Sequence, residues 1–71
     1  MNFDFVKSEY PQGTRVKLIK MDDVKVPPIG TLGTVKYVDD IGTIHVVWDN
    51  GSTLGIVAGE DKCVRVGEEN A

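Results

Sequence analysis

Ile44, Val46 and Trp48 put apolar side chains at every second position, and Asp49-Asn50-Gly51 follows at once. Side chains alternate across an extended strand, so these three share one face. Asn and Gly accept the positive φ angles that tight hairpins need. The stretch over 43–52 therefore predicts a strand running into a β-turn, and with it a small β-protein. His45 has the parity of Thr43 and Val47, opposite the apolar set, which predicts an exposed or hydrogen-bonded histidine.

The rest of the chain repeats this pattern in short pieces. Residues 14–20 alternate Val16 and Leu18 against Arg15 and Lys17, and predict a first strand. Tyr10-Pro11-Gln12-Gly13 before it is a turn. Residues 21–28 have no sustained period and end in two prolines, which cannot donate to a ladder, so they read as a loop. A second strand is expected over 33–38, with Gly30 and Gly33 marking a bend or a close backbone approach. Asp39-Asp40-Ile41-Gly42 turns into the 43–48 strand. A fourth strand is expected over 52–57, a connector or single helical turn over 58–61, and a fifth strand over 62–66. Val16, Leu18, Leu32, Val35, Tyr37, Ile44, Val46, Trp48, Leu54, Ile56 and Val64 are expected inside or partly inside the core. Phe3, Val6 and Tyr10 are spaced for one or two turns of helix. The expected organisation is an N-terminal arm or short helix over 1–10, a five-stranded SH3-like β-barrel over 11–66 and a polar tail over 67–71.

A chain of 71 residues makes one domain with a thin margin. At this size a single core rarely supplies more than ~3–5 kcal/mol. Cys63 is the only cysteine and His45 the only histidine, so neither a disulfide nor a Cys/His zinc site can help. Cys63 itself reads as a half-buried strand residue. No apolar run approaches the roughly 20 residues of a membrane span. The start, Met1 to Phe5, lacks the basic and apolar regions of a signal peptide, and a cytoplasmic location is expected.

The order of motifs resembles SH3-like barrels: Gly13-Thr14-Arg15-Val16, then Gly33-Thr34-Val35, then Ile44, Val46, Trp48-Asp49 and Gly51. The MIB/HERC2 type shows a similar progression. A longer stretch, from Tyr10-Pro11 through Met21-Asp22-Asp23 and Asp39-Asp40-Ile41-Gly42 to Trp48-Asp49-Asn50-Gly51-Ser52, is similar to a family of small bacterial proteins of unknown function. That family occurs in low-GC Gram-positive bacteria, their phages and conjugative elements. The resemblance covers residues 10 to 66. It implies the barrel and an accessory or regulatory role in a mobile element, but assigns no activity. The MIB/HERC2 likeness implies protein binding by analogy of fold.

Catalysis needs a nucleophile, a base and an orienting group brought together, and one histidine with one half-buried cysteine does not predict that. No enzyme activity, metal or cofactor is expected. The paired acidic residues fall in turns, where Asp side chains bond nearby amides. The leading expectation is a binding module for a protein or peptide, acting as a monomer or weak homodimer. Its candidate site joins Met21, Asp22, Asp23, Val24, Val26 and Pro28 of the long loop to Asp49, Asn50, Glu60 and Asp61. The alternative is a nucleic-acid face of Arg15, Lys17, Lys36 and His45. A net charge of -3 works against it, because non-specific binding rests on neutralising phosphates. Exposed aromatics for base stacking are not expected either, since Tyr37 and Trp48 share parity with the core. A third alternative is a small nucleotide-like ligand held in a loop pocket or at an oligomer interface.

Overall fold

Each of the five alternating runs becomes a strand in the computed structural model, which describes residues 4–21, 27–57 and 60–67. The elements are helix α1 (Asp4–Glu9) and strands β1 (Arg15–Lys20), β2 (Leu32–Val38), β3 (Ile44–Trp48), β4 (Gly55–Ile56) and β5 (Lys62–Arg65). All pairs are antiparallel, and the sheet runs β4-β3-β2-β1-β5. This is a meander over β1 to β4, with the last strand returning to pair with the first. The strand β4 is shorter than the 52–57 run implies. Among the described residues no ladder joins β4 to β5, so the sheet curls around its core with a seam between its two edge strands.

The core is Val16, Leu18, Val35, Ile44, Val46, Trp48, Ile56 and Cys63, all buried, with Val6, Tyr10, Met21, Val38 and Leu54 packed against it. The Trp48 indole N–H donates to the Leu54 carbonyl at 3.0 Å, so its one polar atom is satisfied inside the sheet. Gly33 pairs with Trp48 across β2 and β3. A Cβ there would stand 2.6 Å from Val46 Cγ1 and 2.7 Å from Trp48 Cε3, so the indole uses the space that a side chain would fill. Gly42 adopts φ 83° where the β2–β3 turn closes, with its N–H on the Asp39 carbonyl. Val6 and Tyr10 anchor α1 as their spacing predicts, and Lys7–Asp40 and Arg65–Glu9 ion pairs tie it down on either side. Phe3 lies outside the described residues.

Two expected core positions, Tyr37 and Leu32, come out on the outer face. Tyr37 is 52% exposed because β2 carries an extra residue: Val35 pairs with Val46 and Tyr37 with His45, leaving Lys36 as a bulge. One inserted residue reverses the parity of everything after it. Leu32 has the parity opposite to Gly33 and Val35 and lies on the outer face. In β5 the inward residue is Cys63, opposite Leu18, whereas Val64 is half-buried opposite Lys17. Among the described residues no helix is long and apolar enough to cross a membrane.

Candidate functional site

On the outer face, Arg15 and Thr34 are direct partners of β1 and β2, and Asp49 sits at the end of β3. Arg15 Nη1 donates to Thr34 Oγ1 at 2.8 Å and to Asp49 Oδ1 at 2.9 Å, while Nη2 donates to Asp49 Oδ2 at 2.7 Å. The bidentate contact holds the Asp49 carboxyl below its ordinary range and raises Arg15. This guanidinium is already matched to a carboxylate, and Asp49 to a cation. They come from the two rival candidate sites and bind each other.

Further along the same face, the rings of Tyr37 and His45 stack with centroids 4.3 Å apart and planes 12° from parallel. His45 Nε2 lies 2.8 Å from Asp39 Oδ2. The other oxygen of Asp39 accepts the backbone N–H groups of Ile41 and Thr43. The His45 contact, helped by those two amides, keeps the Asp39 carboxyl below its usual value. His45 is thus hydrogen-bonded, as its parity predicts, and Asp39 acts as a turn-builder.

The seam between β4 and β5 opens into a cavity of about 270 Å³, lined by Val6, Tyr10, Gly42, Ile44, Ile56, Asp61, Lys62 and Cys63. Its floor is the barrel core and one wall is α1. Burial pushes the Cys63 thiol up to about 11, so this sulfur acts as apolar lining. Asp61 holds the connector behind the cavity: it accepts the Val57 N–H on Oδ2 at 3.0 Å and donates its own N–H to the Val57 carbonyl at 2.9 Å. On the far side of Tyr10 a second cavity of about 260 Å³ is lined by Phe5, Glu9, Tyr10, Val64 and Arg65.

The residues of the expected peptide site are dispersed. Met21 is half-buried on the core, and Pro28 is exposed with its carbonyl accepting the Thr31 N–H and hydroxyl. Asp22, Asp23, Val24 and Val26 lie outside the described residues. Asn50 Oδ1 accepts the N–H and hydroxyl of Ser52, shaping the hairpin turn. Glu60 is exposed, and its N–H bonds the Val57 carbonyl. Asp49 stands five positions beyond Ile44, on the order of 16 Å along the strand, so it and the cavity-lining Asp61 do not rim one groove. Among the nucleic-acid candidates, Arg15 is committed to Asp49, Lys17 is half-buried between Leu32 and Val64, Lys36 is exposed in the bulge and His45 is stacked and bonded. Sequence reasoning missed the seam cavity. Its lining comes from α1, the β2–β3 turn and three strands, and only the sheet order brings these together. Among the described residues no three His, Cys, Asp or Glu side chains are grouped to share a metal ion.

The profile of a family described as Domain of unknown function (DUF4314) covers residues 1–66. The chain belongs to this family. The match takes in α1 as well as the strands, so the helix that walls the seam cavity is part of the DUF4314 unit. No curated protein and no solved structure matches the chain.

Proposed function

We propose that the protein is a non-catalytic binding module that receives an apolar side chain of a protein or peptide partner in the seam cavity. The observation that carries this reading is the open, mainly apolar hollow of about 270 Å³ between the two edge strands. That volume lies at the lower end of the roughly 300–1,000 Å³ of small-molecule pockets, and the hollow is open to solvent, so an anchoring side chain can enter it from a partner's surface. Anchors of this kind dominate binding energy at protein interfaces. The commitment of His45 to Asp39 and the burial of Cys63 support a role without chemistry. The test is selection of random peptides on the full chain. Enriched peptides should share one large apolar residue and lose affinity about tenfold or more for Val6→Asp, which places a carboxylate in the cavity wall. Equal binding to a folded Val6→Asp variant would refute the assignment.

A second reading, binding of single-stranded nucleic acid, draws on the exposed Tyr37 ring beside Lys36. It is the weaker one, because Arg15 is neutralised by Asp49 and Asp39 lies against the stacked pair.

A further inference from the structure

Strand β5 brings Lys62 directly opposite Lys20, two lysines at partnered positions of one ladder. Like charges so placed are unfavourable. The parity of the pair is set by Leu18 and Cys63, which point inward, so Lys62 and Val64 share the outer face with Lys17. The register shift at Ile19 then adds Lys20 to that face. Lys7, Arg15 and Arg65 each have a carboxylate partner, whereas among the described residues Lys17, Lys20 and Lys62 have none. In a chain of net charge -3 this gathers on one face three cations that have no ion-pair partner among the described residues. Protection of a sheet edge by lysine explains Lys62. It does not explain Lys20, because β1 is an interior strand. Apolar side chains alternate with the cations: Ile19 is 37% and Leu32 36% exposed, and Val64 lies beside Lys17.

We propose that the outer face of β1 and β5 docks an acidic segment of a partner protein, its carboxylates on Lys17, Lys20 and Lys62. The placement of the segment's apolar anchor rests on the seam-cavity reading, because Lys62 also lines that cavity and makes the two surfaces continuous. A bound segment seats its apolar anchor in the seam and carries its acidic flank over β5. Charge complementarity of this kind selects partners and speeds encounter. Nucleic acid fits less well, since the stacked Tyr37–His45 pair lies toward the other end of the sheet and aliphatic groups separate these lysines.

The test titrates the full isotope-labelled chain with four short peptides and follows its amide resonances. One is glutamate-rich with a central phenylalanine. The others replace that phenylalanine by alanine, the glutamates by glutamine, or the glutamates by lysine. The acidic anchored peptide should shift the β1 and β5 amides, bind more weakly as salt rises, and bind roughly tenfold more weakly to a Lys17→Gln/Lys20→Gln/Lys62→Gln variant. If the glutamine peptide binds as well as the acidic one, the cationic surface is wrong and the cavity stands. If the alanine peptide binds as well as the anchored one and still depends on the lysines, the cavity reading falls and the acidic dock survives alone. Absence of binding by all four overturns both. Oligothymidylate binding at the same lysines, tighter than any peptide, would replace the protein partner by a nucleic acid.

Discussion

Gly33→Ala tests the packing that closes the sheet over Trp48. The added Cβ meets Val46 Cγ1 at 2.6 Å and Trp48 Cε3 at 2.7 Å, with the Val47 carbonyl oxygen at 3.0 Å. Ordinary contact begins near 3.4 Å, so two side chains that are each only 1% exposed must retreat by about 0.7–0.8 Å. Overpacking of this kind costs about 1–3 kcal/mol. Alanine returns about 0.4–1 kcal/mol by restricting the unfolded chain. Those ranges leave a net loss of about 0–2.6 kcal/mol, about 1.3 kcal/mol at their midpoints, against a total stability of only ~3–5 kcal/mol. In a domain this small the midpoint lowers Tm by about 5–10 °C. Trp48 is the only tryptophan, so its fluorescence during urea and thermal unfolding reads the transition at the site itself.

A second variant separates crowding from backbone strain. Val46→Ala removes the Cγ1 that the new methyl strikes. The Gly33→Ala/Val46→Ala pair should therefore lose less than the sum of its parts, by at least about 0.5 kcal/mol. Gly51→Ala has nothing within 4 Å of its new Cβ but sits at φ 94°, and its cost should add to Val46→Ala without coupling. A Gly33→Ala protein that melts at or above the parent temperature would refute the close-approach argument. So would strict additivity with Val46→Ala.

Two further outcomes follow from the titrating groups. The carboxyl of Asp39 is held below its ordinary value of 3.8 by His45 and by the Thr43 and Ile41 amides, so the unfolded chain binds its proton first. Its contribution is therefore complete above about pH 4 and is lost as pH falls through the folded-state value. The stability gap between the parent and Asp39→Asn should narrow as pH drops below that point, and a gap that stays constant from neutral pH into acid would contradict it. Cys63 is 6% exposed in the lining of the seam cavity with its thiol raised to about 11, so a thiol reagent at pH 8 should label the native chain far more slowly than the urea-unfolded chain. Labelling that is complete in minutes and independent of added urea would contradict that burial.

The parts of this molecule that obey a local period were legible in its sequence, and the proposed partner surface depends on the places where that period breaks. Val16, Leu18, Ile44, Val46 and Trp48 alternate without interruption, and all five are buried as the alternation predicts. Tyr37 carries the same parity signal, yet the extra residue at Lys36 turns it outward onto His45. Nothing in the local pattern marks that bulge, because an inserted residue is detectable only against the partner strand. The second break, at Ile19, has the larger consequence. It brings Lys20 opposite Lys62 and so assembles positive charge from two ends of the chain. Arg15, by contrast, looks on sequence like the strongest cation of the outer face, and the register delivers it to Asp49. Which cations remain free for a partner is thus decided by strand register. That is why the acidic dock is proposed on Lys17, Lys20 and Lys62, while the stripe expected from Arg15, Lys17 and Lys36 is largely neutralised or divided by the bulge.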